Sequence, residues 1–269
     1  MNYVNLLNKI REDNPLIHNI TNYVTVNDCA NVVLAIGASP IMADDILEVE
    51  EIVSISSALV INIGTLNQRV INSMLKACKK ANQLNIPVIL DPVGAGASSL
   101  RNNTVKDILS QVKVDVIRGN LSEISFLAGQ SVSTKGVDTS EEDEKNNAID
   151  IANLVARKYS CVVGITGIVD IVSDGSKFAK ISNGNELLSR VTGTGCMTSA
   201  LVGSFCGITE DYFIATILGI ATMGIAGEIA FEKSGIIGTG SFRSSIIDAI
   251  STMNNSKFLE RAKIDEAND

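Results

Sequence analysis

The 269-residue sequence lacks Trp, contains a single His and only four Pro, and has just 4% aromatic residues. Its five Cys (29, 78, 161, 196 and 206) form no C-x-x-C pair, and an odd number does not build a disulfide framework. A reducing cytoplasm is the expected setting. The first sixteen residues, MNYVNLLNKIREDNPL, are broken by charge before any apolar core of a signal peptide forms, so no secretory signal is expected. There is no G-x-x-x-x-G-K-[ST] run, which excludes a P-loop enzyme. Positive charge is short too: 22 Lys and Arg against 30 Asp and Glu leave a net charge of −8. A nucleic acid is therefore not an expected partner. A small phosphate remains compatible, because backbone N–H groups hold one without a basic surface. The 21 Gly carry no period, which excludes a collagen-like chain, and 45% hydrophobic residues exclude disorder.

What is present is a rhythm. Short β-rich runs occupy Ala58–Ile63, Pro87–Leu90, Val114–Ile117, Cys161–Thr166 and Asp170–Val172, each closed by Gly, Pro or Asn. Helical stretches such as Asn67–Asn85 and Ala148–Tyr159 lie between them. Apolar strands alternating with amphipathic helices predict an α/β fold, with a mostly parallel central sheet covered by helices on both faces. Right-handed crossovers then align the strand C-termini along one edge, where ligands of open sheets bind. No long linker interrupts the pattern, so one domain spanning residues 1–269 is expected. The acidic run Asp138–Asn147 reads as a solvated loop or helix start.

Tyr212–Phe231 is long and apolar enough to span a bilayer, and the preceding Met197–Ile208 contains Gly203-x-x-x-Gly207. Glu228 near one end, no Lys or Arg cluster at the other, and many small residues favour a buried helix pair in a core over a membrane hairpin. No membrane is expected as a partner.

Val191-Thr192-Gly193-Thr194-Gly195-Cys196 runs straight into that first apolar helix. Glycines at a helix start turn backbone N–H groups into a common space, and the helix dipole adds positive potential. Gly193, Thr194 and Gly195 thus make a candidate anion hole. Cys196 falls in the first turn, where a thiol pKa is expected to drop. Alone, this stretch is equally a Gly-rich turn beside a small buried Cys. Its company makes it specific. Asp91, opening Asp91-Pro92-Val93-Gly94-Ala95-Gly96, follows one strand; Arg118, Asn120 and Glu123 follow the next; Thr166-Gly167 ends another. Asn120 and Glu123, at i and i+3, share a side of a helical turn and could serve a hydrated cation together. Mg²⁺ keeps several waters and takes one or two carboxylates plus phosphates, a pattern that Asp91 with Glu123 would match. Together these residues read as metal-assisted phosphoryl transfer.

These stretches, with His18-Asn19-Ile20-Thr21-Asn22, Ile36–Met42, Ile61–Leu66 and Ile165-Thr166-Gly167, resemble the hydroxyethylthiazole kinases of the ribokinase-like superfamily over nearly the whole chain. The resemblance implies ATP- and Mg²⁺-dependent phosphorylation of 4-methyl-5-(2-hydroxyethyl)thiazole in thiamine salvage. It implies Met42 and Gly193 at the thiazole, Arg118 and Thr166 at ATP, and Asp91 and Glu123 near Mg²⁺ and the phosphates. Cys196 would occupy the catalytic position where most ribokinase-like kinases carry Asp. A homotrimer with substrate sites between subunits is implied as well. Gly238-Thr239-Gly240-Ser241-Phe242 departs from the Gly-Pro-Gly-Ser-Phe of the family, with no functional change attached.

Other residues stay open between two roles. His18 is either a satisfied structural His or a pocket residue. Asn22 offers an amide for an azole nitrogen or a hydroxyl. Gly64 is a strand-end turn or a place for a ligand to approach, and Met42 is a core Met or a thioether against a flat heterocycle. The other four Cys read as buried small hydrophobes. Rival functions are a related kinase acting on hydroxymethylpyrimidine or pyridoxal, a non-catalytic binding protein on this fold, and the membrane hairpin.

Overall fold

A computed structural model describes residues 4–130 and 141–268. Nine strands form one sheet: β1 (Leu16–Ile20), β2 (Ser39–Ile41), β3 (Ala58–Asn62), β4 (Val88–Asp91), β5 (Val116–Asn120), β6 (Val162–Thr166), β7 (Asp170–Ser173), β8 (Lys177–Ile181) and β9 (Ile264–Asn268). Their order is β2-β1-β3-β4-β5-β6-β7-β8-β9. The pairs from β2 through β6 are parallel, and β7, β8 and β9 add on antiparallel.

Period-two alternation sends each central strand into two cores. Ala58, Val60, Ile89 and Val116 face one layer, with helices Val26–Ile36, Thr194–Cys206, Tyr212–Ser234 and Thr239–Ser251. Leu59, Ile61, Leu90 and Ile117 face the other, with helices Gln68–Leu84, Ser99–Gln111 and Glu141–Tyr159. The expected α/β architecture, helices on both faces of a mostly parallel sheet, is the one observed.

The strand bounds differ from expectation at the edge that matters. β4 runs on to Asp91 and β5 to Asn120, so these residues end strands rather than follow them. β1 was not anticipated, because His18 and Asn19 break its apolar pattern; both are nevertheless buried. The helix expected from Ala148 begins at Glu141, and Asp138–Ser140 of the acidic run lie outside the described residues.

The two apolar helices pack inside the protein. Tyr212–Ser234 has 83% of its most apolar window buried. Glu228, its one acidic interruption before the last turn, accepts hydrogen bonds from the Asn183 side chain and the Gly184 N–H and pairs with Lys263 at 3.0 Å. The small residues set the spacing. A Cβ at Gly219 would lie 2.7 Å from the Val202 backbone, and one at Gly203 would lie 2.4 Å from Val60 Cγ2.

Candidate active site

Parallel pairing aligns the strand ends. Asn62 is in register with Asp91, and Asn120 with Thr166. Over this edge comes the start of helix Thr194–Cys206, capped by Gly193 at φ 91°, a conformation that favours glycine. A Cβ there would also sit 2.6 Å from Thr25 Cγ2.

The first turn of this helix is bonded to the strand ends. Cys196 Sγ accepts hydrogen bonds from Asn22 Nδ2 at 3.3 Å and Asn62 Nδ2 at 3.2 Å. One turn on, Ser199 Oγ donates to Asp91 Oδ2 at 2.8 Å. Asn62 Nδ2 donates to the same oxygen at 2.8 Å, and Arg118 Nη1 lies 3.9 Å from it. The other oxygen, Asp91 Oδ1, is buried without a partner. Burial, with help from Glu123, pushes the Asp91 carboxyl up to about 6, against Arg118, Ser199 and Asn62.

Cys196 departs from expectation. Its pKa is raised, by burial first and then by Asp91, against hydrogen bonds from Thr25, Asn22 and Asn62. Desolvation in this crowded turn outweighs the helix terminus, and the group is a thiol at neutral pH. The remaining four Cys are buried, as expected of small hydrophobes. Burial pushes Cys29, Cys78 and Cys161 up to about 12.

On the far side of the helix start lies a cavity of about 610 Å³, whose lining includes Arg118, Thr166, Asp170, Thr194 and Gly195. Arg118 Nη2 donates to Thr166 Oγ1, and a Cβ at Gly195 would lie 2.8 Å from Arg118 Nη1. Buried guanidinium, hydroxyl and glycine-lined helix terminus thus converge on one space. The chemistry suits a phosphate group.

Glu123 and Asn120 do share a side, in a capping box. Asn120 Oδ1 accepts from Glu123 N at 2.9 Å, and Glu123 Oε2 accepts from Asn120 N at 2.8 Å. Glu123 Oε1 takes the Gly94 N–H at 2.8 Å. For Mg²⁺, the unpartnered Asp91 Oδ1 is the fitting donor, while both Glu123 oxygens already hold backbone donors. No group of three or more His, Cys, Asp or Glu suited to a metal occurs among the described residues. A cation relying on one or two carboxylates, phosphates and water needs no such group.

The other candidates divide. Gly64 abuts the thiol network: a Cβ there would lie 2.9 Å from both Asn22 Nδ2 and Asn62 Oδ1. Asn22 spends its amide inside the protein, donating to Asn62 Oδ1 and Cys196 and accepting from Val24 N and Thr25. His18 lies buried in β1, its Nε2 bonded to Ala43 O at 2.7 Å, and burial lowers its pKa. It thereby ties down the segment next to Met42, which is half-buried against the core.

The chain matches the Hydroxyethylthiazole kinase family over residues 7–256. It is 62% identical over 262 residues to "Hydroxyethylthiazole kinase" of Ruminiclostridium cellulolyticum, covering 97% of this chain and 96% of that protein. The chain belongs to the hydroxyethylthiazole kinase family. It is 59% identical to the Clostridium beijerinckii protein of the same name, over 97% of this chain and 96% of that one. The solved structure of a hydroxyethylthiazole kinase protein from Pyrococcus horikoshii superposes with a TM-score of 0.90 at 42% identity, over 98% of each chain. A Staphylococcus aureus pyridoxal kinase, at 17% identity and TM-score 0.58 over 80% of this chain and 88% of that one, shares the ribokinase-like fold. The chain is a kinase of thiamine salvage.

The site of this hydroxyethylthiazole kinase family member includes residues to which the motifs assign no role. Asn62, Ser199 and Asp170 are polar, buried and placed at a strand end, one turn into the helix, and at a strand start. For Asn62, a polar residue ending an apolar strand is the available signal.

Asp170 Oδ1 accepts the Gly167 N–H at 2.9 Å, and burial pushes its carboxyl from 3.8 to about 7, against that bond and Arg118. The folded state therefore holds the proton more tightly, so this group's contribution to stability falls as pH rises from about 4 through 7. Asp170→Asn keeps the acceptor without the charge. Its Tm, relative to wild type, is expected to climb between pH 5 and pH 8 in thermal unfolding; a constant gap contradicts the assignment.

Proposed function

We propose that the chain transfers the terminal phosphoryl group of ATP to the primary hydroxyl of 4-methyl-5-(2-hydroxyethyl)thiazole, at the start of helix Thr194–Cys206. The observation that carries the reading is that this one turn separates the Arg118–Thr166 cavity from the Cys196–Asn62–Asp91 network. Nucleotide on one side and acceptor alcohol on the other would meet across Gly193–Gly195.

Arg118 and Thr166 hold the ATP phosphates, with Asn120, exposed at the end of β5, on the same side. The N–H groups of Gly193, Thr194 and Gly195 receive charge that develops on the transferring oxygens. Met42, Gly193, Asn22, His18 and Gly64 form the thiazole side, with His18 and Asn22 acting through the backbone and thiol they hold. Mg²⁺, at Asp91 and with Glu123 behind it, would neutralise phosphate charge when bound. A loose phosphoryl-transfer transition state requires little prior deprotonation of the attacking hydroxyl. Cys196, a thiol rather than a thiolate, then orients that hydroxyl and is not its essential base.

The reading extends to a single domain and to a cytoplasmic homotrimer with sites between subunits. Its support is apolar exposure beside the site: Tyr23 and Val24, next to Asn22, are 79% and 56% exposed, and Leu47, five residues after Met42, is 86% exposed. Light scattering is expected to give three times the 28.5 kDa chain mass; a monomer contradicts it.

An ADP-release assay with ATP and Mg²⁺ is expected to turn over hydroxyethylthiazole and leave hydroxymethylpyrimidine and pyridoxal unreacted. Turnover of another acceptor overturns the pocket assignment, and none from folded protein favours a binding protein. Cys196→Ala is expected to lose less than the ~10²–10⁴-fold that a dedicated general base contributes. Complete loss in a folded variant contradicts the thiol's secondary role.

A further inference from the structure

We infer that Asn62 is a positioning residue for the phosphoryl transfer, its amide fixing the Cys196 thiol and the Asp91 carboxylate relative to each other. The inference rests on the kinase reading of the same site. Asn62 ends β3, in register with Asp91 at the end of β4, and is 1% exposed. Every hydrogen-bonding valence of its side chain is used. Nδ2 donates to Asp91 Oδ2 at 2.8 Å and to Cys196 Sγ at 3.2 Å. Oδ1 accepts from Asn22 Nδ2 at 3.0 Å and from Gly64 N at 2.9 Å.

An amide is the group such a junction needs. It offers two donors on one nitrogen and two lone pairs on one oxygen. Asp in its place would present acceptors to both the Asp91 carboxylate and the sulfur. Gln would carry the amide one methylene further, out of place for the four partners that Asn62 holds at once. With Asn62 holding Asp91 Oδ2, the unpartnered Oδ1 is left for a cation. The same nitrogen holds Cys196 in the turn that carries the anion hole. Asn62 thus sets the distance between the group facing the acceptor hydroxyl and the group facing the nucleotide's metal, while touching neither substrate.

The test uses Asn62→Asp and Asn62→Leu in the full-length enzyme, with wild type alongside. Both variants are expected to lose about 10–100-fold in kcat, the usual cost of removing a partner that orients a ligating carboxylate. KM for ATP and for the thiazole is expected to stay close to wild type. Alkylation of Cys196, the one cysteine not fully buried, is expected to slow severalfold in Asn62→Asp, because a carboxylate beside the sulfur disfavours the thiolate. In a Cys196→Ala background, Asn62→Leu is expected to cost less than in wild type, since part of its effect passes through the thiol. Unchanged kcat and alkylation in folded variants overturn the inference, as does a rise in KM with kcat intact. If Asn62→Leu fails to fold, Asn62→Asp and its alkylation rate decide. Should wild type turn over no thiazole, the kinase reading fails, and the alkylation rate still reports whether Asn62 governs the thiol.

Discussion

Helix Thr194–Cys206 lies on the sheet at a separation that a side chain at Gly203 would prevent, since its Cβ would come 2.4 Å from Val60 Cγ2. That close approach brings the helix start down to the strand ends, and the rest of the site follows from it. Cys196 reaches Asn62, and Ser199 reaches Asp91, only because the axis is this near the β3–β4 edge. Behind it, Gly219 lets helix Tyr212–Ser234 press against Val202 and complete the layer. The composition that looked like a membrane hairpin is therefore a packing device: small residues let backbones approach, and the approach positions polar side chains.

The site buries Arg118, Asp91 and Asp170 with few direct partners. Arg118 stands 3.9 Å from Asp91, its Nε has no partner, and Asp170 is held mainly by a backbone N–H. Burying such groups costs stability unless something completes them. Under the proposed reading the partners would come with the substrates: phosphate for the guanidinium and helix terminus, and a cation at Asp91 Oδ1. A site arranged this way is worth less to the folded state than to the bound one. In that reading, local stability would be exchanged for affinity in the charged transition state.

Much of the architecture was legible because the signals are periodic. Continuous apolar runs closed by Gly, Asp or Asn give parallel strands and a functional edge, and β3 to β7 lie within a few residues of where the pattern puts them. β1 was illegible for the opposite reason. Its His18 and Asn19 are polar yet buried; Asn19 donates to the neighbouring Ile17 O, while His18 bonds Ala43 O, 25 residues on, a contact that no local pattern contains. Motif reading brought out Asp91, Arg118, Thr166 and Gly193–Cys196, which carry recognisable spacing. Asn62, within the Ile61–Leu66 stretch, and Ser199 and Asp170 drew no role, because their roles arise only when separate segments meet. The direction of the Cys196 pKa also escaped, since helix position is visible in sequence and desolvation is not.

Glu123 joins two segments with one geometry. Its carboxylate closes the capping box with Asn120 and takes the Gly94 N–H, so it ties the end of β5 to the loop after Asp91. A negative group suits a helix N-terminus, where backbone donors stabilise it. A carboxylate held by two N–H groups is fixed in place, which is what a hydrated cation between it and Asp91 would need from an outer partner. Replacing it with Gln would keep one acceptor for the Asn120 N–H of the cap while removing the charge and leaving the Gly94 N–H without its acceptor. The cap and the electrostatics are thus separable in principle, although a single side chain supplies both. The same economy appears at Asn62 and at His18, where one buried polar group bonds two segments and leaves the reacting atoms to others.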